Sequence, residues 1–209
     1  MQQLDVEIVN ISRFDLRQLR ELILGRFTSI FRRQWAMCVA RLPADLEYFL
    51  DGQDRRNLRT GARGAQRAGF TTAWLEGGDL FSAATRIMER RGWQEPLTTE
   101  KFSEMCGGDF RLACGVVTMD KSGDPDTLNV GLQFGTTFFL RVGYSSTGGH
   151  VRWLSLSELY RHCHQRGIRL IIGDQIFGVG RGTMEFLRGA GFEIINIRYH
   201  VVESPPPTP

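Results

Sequence analysis

The segment LRVGYSSTGGHVRWLSL, from Leu140 to Leu156, has the residue types and spacing of an anion-binding site. A strand runs directly into a loop of small polar residues, Ser145 to Gly149, and then into a helix. This arrangement directs several backbone N–H groups and the positive end of the helix dipole into one small volume. Small side chains let an anion approach the backbone. The segment therefore predicts a site that suits a pyrophosphate.

A second group of residues suited to phosphate lies on a predicted helix in the first third of the chain. Three or four of its guanidinium groups share one helix face, and the run consists of Arg55, Arg56, Arg59, Arg63 and Arg67. Such a face could bind RNA or DNA. The alternative interpretation is an ordinary solvated helix face.

The N-terminal part of the chain predicts helices and strands in alternation. Leucine, isoleucine and phenylalanine recur at helical spacing at Leu16, Leu19, Leu22, Ile23 and Phe27, and WAMCVARL follows as a strand. Helices are predicted over Ala44–Leu50 and Arg55–Ala68, the second ended by Gly69. FTTAWLE is a short strand, and Asp79 is predicted to cap a helix that Gly92 ends.

The C-terminal part is richer in strands. After a helix over Thr99–Cys106, three consecutive strands are predicted in RLACGVVTMD, LNVGLQFGT and TFFLRVGYSS, and the turn KSGDPDT makes the first two a hairpin. A helix follows over Val151–Gln165, with its apolar residues largely on one face and Gly167 closing it. IRLIIGD is a buried strand, GTMEFLRGAG a short helix and FEIINIRYHVV a final strand.

Length and composition indicate one domain. The chain has 209 residues, 42% of them hydrophobic, and we expect a single domain over residues 1–203 with a disordered proline-rich tail, SPPPTP, over 204–209. No run of 18 apolar residues exists and the N-terminus lacks a signal-peptide pattern, so we expect a cytoplasmic location and no membrane partner. The net charge is +3 and nearly all cations are arginine, which a GC-rich genome or a phosphate-binding role would both explain.

Cysteine and histidine do not form a recognisable metal site. The cysteines show no CxxC pairing, and we expect reduced, mostly buried thiols at Cys38, Cys106, Cys114 and Cys163. His162 and His164 are two apart on a helix and point in different directions, while His150 lies twelve residues earlier. We therefore expect solvated helix histidines and no metal.

The same segment from Leu140 to Leu156 resembles the core motif of the GNAT superfamily of N-acyltransferases, L-x-V-x-P-x-x-R-G-x-G-x-G-x-x-L-L. Aligned without gaps, Leu140 and Val142 take the strand positions, Gly148 the first glycine and Leu156 the last leucine. His150 and Arg152 occupy the later glycine positions, Thr147 replaces the usual Arg or Gln, and Tyr144 replaces the proline. These departures resemble the divergent FemAB-, BioF2- and CelD-like branch, whose glycine signature is often eroded.

The resemblance to that branch extends from about Trp35 to Asp174. In the first half of this range, a strand and Leu-Pro precede a basic R-x-x-x-R-x-A helix that ends in glycine. In the second half, a helix ending in MERRG is followed by a three-stranded meander, then by the helix RWLSLSELYRHCHQRG, and then by a strand that ends in IIGD. The resemblance implies a GNAT-like α/β fold, a central mixed, mostly antiparallel sheet flanked by helices, with acetyl-CoA or another acyl-CoA as co-substrate. The residues that it assigns to the coenzyme are Arg141, Val142, Gly143, Ser145, Ser146, Thr147, Gly148, Gly149, His150 and Arg152.

Catalysis in this family consists mostly of positioning: an amine attacks the thioester directly, a strand edge polarises the carbonyl and a base removes a proton. Asp174, at the carboxyl end of IRLIIGD, could hold or deprotonate the amine, or it could cap the following helix. Tyr144 is a candidate acid for the leaving thiolate, or a tyrosine packed on the sheet.

A competing phosphate loop lies in QIFGVGRG, where Gln175, Gly178 and Gly180 fit Q-x-x-G-x-G. Only one helix and one strand follow it, whereas the GNAT topology needs a strand, a helix and a closing strand after the pyrophosphate site. The topology therefore favours the loop from Thr147 to Arg152, and QIFGVGRG is interpreted as a helix entry loop.

Three functions agree with these features. The first is an acyl-CoA-dependent N-acyltransferase, such as an acetyltransferase, acting on a small-molecule or macromolecular amine; the fold also allows a homodimer. The second is an aminoacyl transferase of the same fold, as in FemAB and leucyl/phenylalanyl-transferase proteins, with the arginine helix holding tRNA. The third is a non-catalytic GNAT-like module that binds nucleic acid or protein.

Overall fold

The computed structural model describes residues 3–11, 33–175 and 180–203, and eight strands within them form one sheet. The strands are β1 (Gln3–Ile11), β2 (Arg33–Arg41), β3 (Thr71–Glu76), β4 (Cys114–Met119), β5 (Pro125–Phe134), β6 (Thr137–Ser145), β7 (Leu170–Gln175) and β8 (Glu193–Glu203). The helices are α1 (Leu46–Asp51), α2 (Arg56–Arg67), α3 (Gly77–Arg90), α4 (Thr99–Cys106), α5 (His150–Gln165) and α6 (Arg181–Gly189).

The strand order across the sheet is β1-β8-β2-β7-β6-β5-β4-β3. Two neighbouring pairs, β1 with β8 and β6 with β7, are parallel, and the other pairs are antiparallel. The predicted mixed, mostly antiparallel sheet is therefore confirmed.

Helices cover both faces of this sheet, and each face has its own core. On one face, named here the α5 face, residues of α1, α2 and α5 pack with strand residues such as Phe138 and Ile171. On the opposite face, the α3 face, α3 and α4 pack with strand residues such as Phe139 and Ile172. The alternation of Phe138 with Phe139, and of Ile171 with Ile172, is the period of two that a strand imposes.

The predicted three-stranded meander is confirmed. β4, β5 and β6 pair antiparallel in succession, and the β4–β5 turn is closed by the Asp120 amide, which donates to the Asp124 carbonyl at 2.8 Å. Gly123 has φ +80° in this turn, a value that glycine adopts without strain. The predicted turn was too long at its end, because Pro125 to Thr127 already belong to β5.

Two predictions about the N-terminal half need correction. Asp79 does not cap its helix: α3 begins at Gly77, directly after β3, and its N-cap is Glu76. Gly77 makes this abrupt turn with φ +51°, so Asp79 falls in the first helical turn. In addition, β1 was not predicted, although Leu4, Val6 and Ile8 alternate as in a strand.

Three predicted features lie wholly or partly outside the described residues: the helix carrying Leu16 to Phe27, the middle half of the QIFGVGRG loop (residues 176–179), and the tail over 204–209. All four cysteines are buried, as expected. None of the described helices is long and apolar enough to cross a membrane.

Helices α2 and α5 pack very closely on the α5 face, because small residues of α2 meet the first turns of α5. A Cβ on Gly61 would lie 2.8 Å from the Trp153 Cβ, well inside van der Waals contact. A Cβ on Gly64, in the same helix, would make an ordinary 3.6 Å contact with the His150 ring. Trp153 cannot yield easily, since its ring also packs on Phe186 at 4.3 Å between centroids.

We expect Gly61→Ala to destabilise the protein although alanine is the better helix former. Overpacking costs about 1–3 kcal/mol, whereas the helical gain is at most about 1 kcal/mol. Gly64→Ala is the matched control, and it should leave the free energy of unfolding unchanged or raise it. Thermal unfolding followed by circular dichroism measures both, at roughly 2–4 °C per kcal/mol for a chain of this size. Equal melting temperatures for the two variants would contradict the close approach.

Candidate functional site

The central feature of the candidate site is a wedge between the parallel strands β6 and β7. Their pairing covers only Thr137 to Phe139 of β6, opposite Leu170 to Ile172 of β7. Beyond this point the carboxyl-terminal halves of the two described strands do not pair. The carboxyl ends of adjacent parallel strands are where open α/β sheets bind ligands.

A β-bulge in β6 accounts for this divergence. On the other side of β6, Val142 pairs with Val130 and Leu140 pairs with Gly131, so Arg141 is an extra residue in the strand. A bulge of this kind bends the strand and increases its twist. Gly131 is required there, because a Cβ would lie 2.7 Å from the Phe138 ring. The bulge therefore turns β6 away from β7 where their pairing ends.

A cleft of about 100 Å³ adjoins the wedge on the α5 face, between α5 and α6. Its lining is mostly apolar and comes from β5, β6, α5, α6 and the residue that precedes β8: Thr127, Asn129, Leu140, Gly143, Tyr144, Arg152, Leu156, Thr183, Phe186, Leu187 and Phe192. Arg152 lies at its edge, with its guanidinium 4.4 Å from the centre of the Phe186 ring.

One oriented polar group lies against the floor of this cleft. The side-chain amide nitrogen of Asn129 donates to the fully buried Ser155 hydroxyl at 2.7 Å. This bond fixes the amide so that its Oδ1 faces Gly143, where an added Cβ would lie 3.3 Å away. The cleft therefore combines apolar walls with a positioned hydrogen-bond acceptor, as small-molecule sites commonly do.

The loop between β6 and α5 lies at the end of the cleft and leads into an uncapped helix. Gly148 and Gly149 have φ of +70° and +59°, and Gly149 is the N-cap of α5. No side chain caps this terminus, and α5 is 16 residues long. Its first backbone N–H groups thus need an outside acceptor, which an anion can supply.

The loop is anchored by a buried carboxylate that sequence reasoning missed. Asp126 is 1% exposed, and its side chain accepts hydrogen bonds from the hydroxyls of Thr127 at 2.8 Å, Ser146 at 2.5 Å and Thr147 at 3.0 Å. The Ser146 amide also donates to the backbone carbonyl of Asp126 at 2.8 Å. The loop hydroxyls therefore point inward at Asp126, which the sequence placed in the preceding turn.

The backbone of the loop is also partly occupied. The Gly148 amide donates to the Ser145 hydroxyl oxygen at 2.8 Å, and the Ser146 amide is bonded to Asp126 as described. In contrast, no side chain caps the first N–H groups of α5. An anion at this segment would therefore find its donors at the helix terminus rather than at the loop hydroxyls.

The residues that the sequence assigned to one coenzyme site divide between two faces of the sheet. Gly143 and Arg152 line the cleft on the α5 face, where His150 begins α5. Val142 belongs to the core of the α3 face, and the Tyr144 ring packs against that core. Arg141 is half-buried, and its charge acts on Cys106 and Tyr199 of the α3-face core.

Asp174 is the penultimate residue of β7, two residues beyond the last residue paired with β6. The alternative that it caps the next helix is wrong, because α6 begins at Arg181 and its N-cap is Gly180. The backbone thus places Asp174 at the wedge, and the role of its side chain stays a prediction.

The arginine run of α2 is partly used for internal contacts. Arg55 stacks on the Phe49 ring at 4.8 Å, and Arg59 donates to the Asp51 carbonyl and pairs with the Asp51 carboxylate at 3.8 Å. Arg56, Arg63 and Arg67 are exposed along one helix face. Because Gly64 lies against the His150 ring, this face ends beside the start of α5.

Thiol and metal chemistry receive no support from the described residues. Burial raises the pKa of Cys106 and of Cys114 to about 12 and raises that of Cys163 further, so these thiols stay protonated near neutral pH. Within residues 3–11, 33–175 and 180–203, no three His, Cys, Asp or Glu residues come together as metal ligands. His162 packs on Trp74 at 5.5 Å, and burial lowers its pKa.

The anchoring role of Asp126 predicts a large cost for a small change. Asp126→Asn keeps the shape of the side chain but turns one acceptor into an NH₂ group facing hydroxyls. We expect the free energy of unfolding to fall by about 1–3 kcal/mol. Asp124→Asn is the matched control two residues away, on a half-exposed carboxylate paired with Arg86, and should change it by about 0.5 kcal/mol or less. Chemical denaturation measures both, and equal effects would rule out a special role for Asp126.

Comparison with known proteins identifies the fold. No protein-family model matches the chain, and no curated protein matches it. Among solved structures, L-PGS from Bacillus licheniformis superposes with a TM-score of 0.56 at 9% identity, covering 79% of this chain and 60% of that one. The C-terminal domain of a proposed lysylphosphatidylglycerol synthetase from Agrobacterium fabrum gives 0.54 at 10% identity, with the same coverage of 79% and 60%.

A conserved protein of unknown function from Bacteroides thetaiotaomicron gives a TM-score of 0.53 at 13% identity, covering 90% of this chain and 66% of that one. The chain thus spans about three-fifths to two-thirds of the length of these structures. At such identities the likeness concerns the fold alone. Together with the mixed eight-stranded sheet and its flanking helices, it shows that the chain has a GNAT-like fold.

Proposed function

We propose that the protein is an acyl-CoA-dependent N-acyltransferase, with acetyl-CoA as the simplest donor, of the divergent FemAB-, BioF2- and CelD-like branch. The observation that carries this proposal is the wedge between β6 and β7, which opens beside an uncapped 16-residue helix and an apolar cleft. We place this activity in the cytoplasm, on a monomer or a homodimer.

Each part of an acyl-CoA has a matching feature on the α5 face. The pyrophosphate fits the first N–H groups of α5, with His150 and Arg152 adding donors nearby. The pantetheine arm, apolar with two amide groups, fits the cleft between α5 and α6, where Asn129 offers an acceptor. The thioester then reaches the wedge.

In the proposed reaction, the lone pair of the amine nitrogen attacks the thioester carbonyl carbon. The new C–N bond forms, the C–S bond breaks and the thiolate leaves. Asp174 takes the proton that the amine loses, and Tyr144, which borders the cleft, gives a proton to the thiolate. The backbone N–H groups on the edge of β6 that faces β7, beyond the end of their pairing, polarise the carbonyl.

We expect coenzyme A and acetyl-CoA to raise the melting temperature. A ligand at one hundred times its Kd stabilises the folded state by about 2.7 kcal/mol, which corresponds to a shift of roughly 5–10 °C for a chain of this size. Gly148→Glu should abolish the shift, because it places a carboxylate at the phosphate position. Differential scanning fluorimetry measures the shift in melting temperature for both proteins.

The matched control for this variant is Gly123→Glu. Gly123 and Gly148 have similar φ, +80° and +70°, and an added Cβ would meet nothing within 4 Å at either position. Both variants therefore carry the same backbone strain, and only the first should lose the ligand. If neither ligand shifts the melting temperature of the unaltered protein at millimolar concentration, an acyl-CoA donor is contradicted.

A second candidate function is aminoacyl transfer from aminoacyl-tRNA. The specific observation is the exposed face of Arg56, Arg63 and Arg67, which ends beside the start of α5. Such a face would bind the phosphate backbone of an RNA whose acylated end enters the wedge. A GNAT-like module that binds nucleic acid without catalysis would use the same face.

For this candidate we expect Arg63→Glu combined with Arg67→Glu to weaken tRNA binding at least tenfold and to flatten its salt dependence. The pair avoids Arg59, whose contacts with Asp51 are internal. Arg86→Glu with Arg111→Glu makes the same change of charge away from α2 and is the control. Filter binding of tRNA at several salt concentrations measures the slope. An equal loss in both double variants would indicate only an effect of net charge.

A further inference from the structure

The α3 face of the wedge carries an aromatic pair, Tyr144 and Trp93, of which the proposed donor site uses only the Tyr144 hydroxyl. The ring of Tyr144, one residue before the end of β6, meets the ring of Trp93 edge-on with centroids 6.1 Å apart. Trp93 is 41% exposed, a large apolar surface to leave in water. Since the donor is assigned to the α5 face, the open side at Tyr144 is where an acceptor can reach the thioester.

This aromatic pair is flanked by cations. The Arg91 guanidinium lies 5.9 Å from the centre of the Tyr144 ring. The Lys101 ammonium lies 5.7 Å from the centre of the Trp93 ring. The charge of Lys101 is matched by Glu95, at 3.1 Å. Arg141, which is half-buried, is a further cation on the same face, and its charge acts on Cys106 of the α3-face core.

Arg91 differs from the other arginines near it in the chain. Arg86 pairs with Asp124, and Arg90 pairs with Asp120 at 2.9 Å. Among the described residues no carboxylate forms an ion pair with Arg91, and its side chain is exposed beside Tyr144. An arginine fork in this position suits a carboxylate of a ligand.

We propose that the amine acceptor is an amino acid or a similar amine that also carries a carboxylate, bound with its carboxylate at Arg91 and its side chain against Trp93 and Tyr144. This inference rests on the proposed acyltransferase function, because that function assigns the donor to the opposite face. Polyamines and lysine-rich peptides are disfavoured, since Arg91 repels additional positive charge while it attracts a carboxylate.

The test compares two acceptors that differ only in the carboxylate, phenylalanine and phenethylamine. With acetyl-CoA as donor, thiol release should show a kcat/KM at least tenfold higher for phenylalanine. Arg91→Gln should lower that value about tenfold or more and leave phenethylamine within threefold. Arg86→Gln, on the same helix but away from Tyr144, is the matched control and should change neither.

A binding measurement makes the inference testable without turnover. By calorimetry in the presence of coenzyme A, N-acetylphenylalanine should bind more tightly than N-acetylphenethylamine, and Arg91→Gln should remove the difference. Binding or turnover that is indifferent to the carboxylate, or no binding of either compound, overturns the inference while a coenzyme A shift still supports the acyltransferase. Carboxylate binding that depends on Arg91, without any coenzyme A shift, supports the anion site and contradicts the acyl-CoA donor.

Discussion

The pairing of β6 with β7 ends at Phe139 and Ile172, and the geometry of the site depends on that limit. Up to this point the two strands share a continuous core, with Phe138 and Ile171 on one face and Phe139 and Ile172 on the other. Beyond it, the backbone of β6 must find partners elsewhere, since unpaired buried groups are costly. β5 supplies them on one side, and the bulge at Arg141 keeps that pairing intact while the strand turns away.

The buried carboxylate of Asp126 has two opposing effects on an anion site at the start of α5. Under the proposed function, a buried carboxylate beneath the phosphate site would repel the ligand, by roughly 2 kcal/mol for unit charges about 8 Å apart at an effective dielectric of about 20. In return, three hydroxyls donate to it and set the conformation of the loop that presents α5. Fixing the loop before the ligand arrives reduces the entropy lost on binding, so the anchor favours a preformed site over a strongly attractive one.

Local patterns predicted the parts of the fold that local physics controls. The meander from β4 to β6 and helix α5 follow from turn residues and apolar spacing, and both were predicted within a few residues. Asp79 was misplaced because strong capping residues also occur in a first turn, and the positive φ that starts α3 two residues earlier belongs to Gly77. The alternating pattern of β1 is present in the sequence but covers only a few residues. The strand that it pairs with, β8, lies almost 200 residues away in the chain.

The candidate site was predictable only in its outline, because local patterns reveal only those parts of it that are contiguous in the chain. The loop and the start of α5 are contiguous in the chain, and spacing alone located them. The anchor Asp126 lies twenty residues before Ser146 and enters the site only through the pairing of β5 with β6. Likewise, Trp93 belongs to the segment after α3 and reaches Tyr144 through packing, which no periodicity reveals.

The bulge also determines which residues of β6 face each side of the sheet. In a regular strand, residues 140, 142 and 144 would share a face. With Arg141 inserted, Leu140 and Gly143 line the α5 face, whereas Val142 and the ring of Tyr144 pack on the α3 face. Under the proposed function, this places donor-facing and acceptor-facing groups within five residues of one strand. Changes in β6 would then alter both substrates at once, whereas Arg91 and Trp93, carried by the segment after α3, could vary the acceptor alone.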